Sequence, residues 1–96
     1  MIKEINNIEV GTIIYFKTCD EIRMDLKGNT KRINEHEVPY LVETIKVDRC
    51  IKNNTYYKST KYYLFNLINQ KRIKAYKNEL IYLLENNRIR ISKERG

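Results

Sequence analysis

A chain of 96 residues, 42% hydrophobic and 32% charged, holds one domain over residues 1–96 and leaves little room for a deep catalytic cleft beside a core. A net charge of +7 favours anionic partners: nucleic acid, a nucleotide, an acidic protein or a membrane surface. No run nears the ~20 apolar residues of a membrane span, and Met1 to Asn6 lacks a signal peptide's apolar core, so the expectation is a cytoplasmic protein without a membrane partner.

In chain order, Val10-Gly11 reads as a turn into Thr12 to Lys17, a β-branched and aromatic run apolar on both faces, hence a central strand. Ile22, Met24 and Leu26 alternate with Arg23 and Asp25, the period of a half-exposed strand. Lys27-Gly28-Asn29 is a turn signal before Lys31 to Ile33. Residues 18–39 therefore read either as a hairpin or as one long excursion loop. Pro39 opens a strong strand, Tyr40 to Val47, and burying both Val42 and Ile45 requires a bulge at Glu43-Thr44. Asp48 to Thr60 is polar and Asn-rich and reads as a loop.

Lys61 to Leu67 and Lys71 to Tyr76 read as paired strands around a tight turn at Ile68-Asn69-Gln70. Residues 77–84 fit either a helix from 79 to 85 or a short helical turn capped by Asn78 and followed by a strand, Ile81 to Leu84. The clean alternation of Ile89 and Ile91 with Arg88 and Arg90 favours the turn and strand, joined to 88–91 through Asn86-Asn87. The tail 93–96 is expected to fray. The expected core is Ile14, Phe16, Val42, Ile45, Val47, Leu64, Ile73, Leu80 and Ile89.

No catalytic constellation is present. Ser59 and Ser92 lie in no nucleophile elbow, His36 is the sole imidazole, and no glycine-rich phosphate loop exists. The expectation is a protein that is not an enzyme and holds no cofactor or metal. Cys19 and Cys50 read as two reduced thiols.

The most suggestive stretch is Thr55 to Tyr63, where two tyrosine pairs bracket Lys58 and Lys61. Aromatic faces stack on bases and lysines neutralise phosphates, which makes Tyr56, Tyr57 and Tyr63 candidate stacking residues. Candidate phosphate contacts are Lys58, Lys61, Arg72, Lys74, Arg88 and Arg90. Arg72 with Lys74, and Arg88 with Arg90, share a face in their strands, and the two strands side by side would make a basic stripe. Lysines and arginines also protect exposed strands from edge pairing. The leading expectation is a binding protein for nucleic acid or a nucleotide. The alternative is an inhibitor that binds a host enzyme or defence protein with an acidic surface. Tyr40 to Val47 is a candidate edge for a homo-oligomer.

Gly11 to Tyr15, Tyr40 to Ile45, Tyr62 to Leu67 and Ile73 to Leu80 resemble the strand set of SH3-like or Tudor-like small β-barrels. That resemblance implies a mostly-β fold, a barrel of about five to seven strands over residues 10–92, with one short helical turn. Such barrels bind peptides, nucleic acids and proteins, so the fold leaves function open. The Lys-, Ile- and Asn-rich composition is similar to that of short proteins of low-GC bacteria and their phages.

Overall fold

A computed structural model describes residues 4–92. After a 3-10 turn at Glu4–Asn7, the chain forms β1 (Ile13–Thr18), β2 (Glu21–Met24), β3 (Thr30–Ile33), β4 (His36–Lys52), β5 (Thr55–Asn66), β6 (Arg72–Tyr76), α1 (Lys77–Glu85) and β7 (Ile89–Ile91). Five strands make one antiparallel sheet in the order β6-β5-β4-β1-β7, and among the described residues β2 and β3 pair only with each other. The mostly-β expectation holds. The closed barrel does not: β6 and β7 end the sheet at opposite edges.

One face of the sheet is covered. Ile14, Val42, Tyr62, Leu64, Ala75 and Ile89 of the strands bury against Leu80 of α1 and against Ile5 and Ile8 of the N-terminal segment. Phe16 and Tyr40 add an edge-to-face pair, 4.8 Å between centroids. Two expected core residues lie outside. Val47 is 57% exposed and Ile73 40% exposed. Ile73 shares the inward side of β6 with Ala75, but it sits nearer the strand's start, where the covering layer stops.

Residues 18–39 form the hairpin alternative. The Asp25 carboxylate accepts hydrogen bonds from the backbone N–H groups of Lys27 and Asn29, both at 2.9 Å, and Gly28 supplies a φ of 85°.

The bulge expected at Glu43-Thr44 is present: Val42 pairs with Leu64 and Thr44 with Tyr63, leaving Glu43 unpaired. Pro39 lies inside β4 instead of opening it. Its carbonyl accepts from the Leu67 N–H at 3.0 Å, but with no N–H of its own it cannot return the bond, and the β4–β5 ladder stops there.

Residues 48–60 are not a loop. They continue β4 and β5 into a long hairpin closed by Asn53-Asn54, with φ of 54° and 60°. Two consecutive left-handed residues are the type I′ turn, whose twist matches that of paired strands. β1 pairs with β4 only as far as Leu41, and β6 reaches β5 only from Lys61. Residues 47–60 therefore stand out as a two-stranded arm with both edges open. The radius of gyration is 16.0 Å. A compact domain of this length has roughly 12–13 Å. Tyr40 to Val47 is only partly an edge, since β1 and β5 flank β4 at Tyr40 and Leu41.

At Ile68-Asn69-Gln70 the left-handed residue is Gln70, and the Asn66 side chain ties the turn by accepting from the N–H groups of Ile68 and Asn69. Residues 77–85 are helical, contrary to the turn-and-strand expectation, and Tyr76, not Asn78, is the N-cap. The Tyr76 N–H donates to Glu79 Oε1 at 2.9 Å. Asn86-Asn87 is no hairpin turn. Asn87, at φ 55°, ends the helix: its N–H donates to the Leu84 carbonyl, and the Arg88 N–H to that of Leu83. That pair of bonds is the Schellman arrangement. β7 then returns to pair with β1. The expected fraying of 93–96 lies outside the described residues.

Candidate functional site

The sheet face opposite α1 carries no covering element among the described residues. On β5 the residues alternating with buried Tyr62 and Leu64 point to it, and the register aligns three rows across β4, β5 and β6. They are Lys46–Lys61–Tyr76, Thr44–Tyr63–Lys74 and Leu41–Phe65–Arg72. Each row therefore sets a ring beside a cation across β5 and β6: Tyr76 beside Lys61, Tyr63 beside Lys74 and Phe65 beside Arg72.

Neighbours in this lattice touch. The Lys46 ammonium lies 5.6 Å from the centre of the Tyr63 ring, Lys61 and Lys74 lie 5.8 and 5.9 Å from that of Tyr76, and the Arg72 guanidinium lies 4.8 Å from that of Phe65. A shallow depression of about 320 Å³ opens between Glu43, Thr44, Lys46, Tyr63 and Arg72.

Two of the four cations are held by carboxylates. Arg72 Nε donates to Glu43 Oε1 at 2.8 Å, an acid presented by the bulge, and this bond raises the Arg72 pKa. Lys61 Nζ is 3.3 Å from Asp48, whose hydrogen bond likewise raises the lysine's pKa. Asp48 also offsets the repulsion of Lys46 and Lys61, which face each other directly. No carboxylate among the described residues pairs with Lys46 or Lys74.

The nine candidate residues fall into three groups. Lys61, Tyr63, Arg72 and Lys74 come together on this open face, and Tyr57 lies on the same side, further out along the arm. Tyr56 and Lys58 point to the opposite side of the arm, because neighbours in a strand alternate. Arg88 and Arg90 belong to the far edge. β5, β4 and β1 separate β6 from β7, so the basic stripe does not form. Arg90 is engaged locally, its Nε 2.8 Å from Glu37 and its guanidinium 4.0 Å from the centre of the Tyr15 ring. Arg88 donates to the Lys17 carbonyl at 3.2 Å.

Sequence reasoning missed Lys46, Arg49, Phe65 and Tyr76. The signal that finds the first two is Asn53-Asn54. Read as a two-residue turn, it pairs Lys52 with Thr55 and, step by step back to the bulge, Arg49 with Lys58 and Lys46 with Lys61.

Cys19 and Cys50 are both free thiols. Among the described residues no three His, Cys, Asp or Glu side chains gather as a metal site, and no helix is long and apolar enough to cross a membrane. No protein-family model, curated protein or solved structure matches the chain.

Proposed function

We propose that this protein binds single-stranded nucleic acid, without catalysis, on the open face of β4, β5 and β6. The observation that carries this reading is the gathering of Lys46, Lys61, Arg72 and Lys74 with Tyr63, Tyr76 and Phe65 on one uncovered sheet face. Rings offer stacking at roughly 1–3 kcal/mol per base, and lysines without carboxylate partners are free to release counterions from phosphates. A sheet surface of this kind suits unpaired bases, which reach a flat array of rings as duplex bases do not. The element order, with a hairpin excursion between β1 and β4 and a helix before β7, supports kinship with SH3-like barrels in an opened form.

The test is fluorescence anisotropy with labelled single-stranded and duplex oligonucleotides across a salt series. Single strands should bind at low salt, and affinity should fall steeply with salt. Lys46→Gln with Lys74→Gln should flatten the log–log slope by about 1.4, roughly 0.7 for each phosphate of a single strand that is no longer neutralised. Absence of binding at low salt would sink the proposal.

A second reading, an inhibitor of a partner protein, draws on the β2–β3 hairpin. The hairpin shows Ile22 and Met24 of β2 and Leu26 of the turn held by Asp25 to solvent, at 58%, 70% and 108% exposure. A preorganised apolar finger suits a protein pocket. Capture of a single protein that survives nuclease treatment and is lost on Met24→Ser with Leu26→Ser would favour it.

A further inference from the structure

The other side of the arm carries a second cluster. Arg49 faces Lys58 directly across β4 and β5, and both are exposed. Directly opposed residues of an antiparallel pair hold their Cβ atoms roughly 4.5–5.5 Å apart, so two like charges there oppose folding. Among the described residues no acid on that side relieves them. The single carboxylate between Val47 and Thr60 is Asp48, which points to the other side and pairs with Lys61. Among the described residues neither Arg49 nor Lys58 pairs with an acid.

Tyr56 completes the cluster. It is the diagonal neighbour of Arg49 on the same side, and it is 75% exposed. Arg49, Tyr56 and Lys58, with Tyr57 between the last two along β5 although its side chain belongs to the other side, line a depression of about 530 Å³. That lies within the roughly 300–1,000 Å³ of small-ligand sites. The open edges of the arm leave the approach clear. Edge protection accounts for one lysine on such an arm, but not for an arginine set against it beside an exposed ring.

We propose that this cluster is a phosphomonoester site: Arg49 and Lys58 hold the terminal phosphate of a nucleotide, and Tyr56 stacks on its base. A phosphomonoester carries nearly two negative charges near neutral pH, which matches two cations at this spacing better than a singly charged diester does. The arginine fork takes two phosphate oxygens, and the lysine supplies a point charge. Either a free mononucleotide or the phosphorylated end of a strand provides this chemistry. The site is separate from the open sheet face and does not rest on that reading.

The test is calorimetric titration of the full chain with the four common nucleoside 5′-monophosphates, with adenosine and inorganic phosphate as controls. At least one monophosphate should bind, and adenosine should bind about 10-fold or more weakly than its monophosphate. Arg49→Gln and Lys58→Gln should each weaken binding about 10-fold or more, with an unchanged or higher melting temperature because the repulsion is gone. A structural role would lower the melting temperature instead. Lys46→Gln with Lys74→Gln should leave mononucleotide binding intact, which separates this site from the sheet face. Preference for a 5′-phosphorylated over a 5′-hydroxyl oligonucleotide would assign the occupant to a strand end, and equal binding of the two would assign it to the free nucleotide. Failure of all four monophosphates to bind, or losses no larger than that of Lys52→Gln, would overturn the proposal.

Discussion

Truncating Leu80 separates the two ways of reading residues 77–85. Leu80 is fully buried, packed with Ile5, Ile8, Leu64 and Ile89 between α1 and the sheet. Tyr82, two residues on, is 64% exposed. In a strand these two side chains share a face; in a helix they lie about 200° apart. Leu80→Ala should cost about 2–5 kcal/mol, from lost transfer energy and an unfilled cavity. A domain of this size has roughly 5–14 kcal/mol in total, so that is a large fraction. At about 4–8 °C per kcal/mol, a loss of ~3 kcal/mol lowers the melting temperature by roughly 12–24 °C. Tyr82→Ala should cost less than ~0.5 kcal/mol, since the ring is largely solvated and alanine is the better helix former. Urea denaturation followed by far-UV circular dichroism, with unchanged m-values, gives both numbers. Equal losses for the two variants, or a Leu80→Ala loss below ~1 kcal/mol, would refute the helical packing.

Ile73→Ala should cost only about 1–2 kcal/mol, because much of that side chain is already in water; a denaturation loss above ~3 kcal/mol would return Ile73 to the core. Asn87→Ala should cost about 1–2 kcal/mol by placing a Cβ residue without local hydrogen-bonding capacity at φ 55°, whereas Asn87→Gly should be neutral or stabilising in the same assay. Hydrogen bonds, foremost from the Asn29 N–H, hold the Asp25 carboxyl below its usual 3.8. Their contribution to the β2–β3 turn is present above that value and lost as pH falls through the lower folded one. Amide exchange at Lys27 and Asn29 should therefore rise on acidification below pH 4 relative to amides in β4 and β5, and a uniform change across the sheet would contradict this local origin.

Much of the sheet was legible because its signals are local. A β-branched and aromatic run marked β1, alternation marked β2, and a tight turn joined the second half of β5 to β6; Gly11 and Gly28 marked turns; and the spacing of Val42 and Ile45 required the bulge. The arm was missed because its residues are polar. A strand segment with no layer packed on it needs no apolar alternation, so its single mark is the Asn53-Asn54 turn. α1 was misread because Ile81 to Leu84 is a short continuous apolar run, which period alone cannot assign to helix or strand.

The candidate site divides along the same line. Its chemistry was present in the sequence: tyrosines interleaved with lysines, and a strong positive charge. The grouping was not, because side-chain direction in a strand depends on register, and register on which strands meet. Strand pairing placed Lys46 and Tyr76 beside Tyr63, sent Tyr56 and Lys58 to the opposite side with Arg49, and set Arg88 and Arg90 at the far edge. Composition and local pattern determined by themselves that this is a basic, β-rich chain rich in tyrosine. Which charges share a face was decided by tertiary structure alone, because contacts between residues distant in sequence form only once the hydrophobic side of each strand has chosen its neighbours.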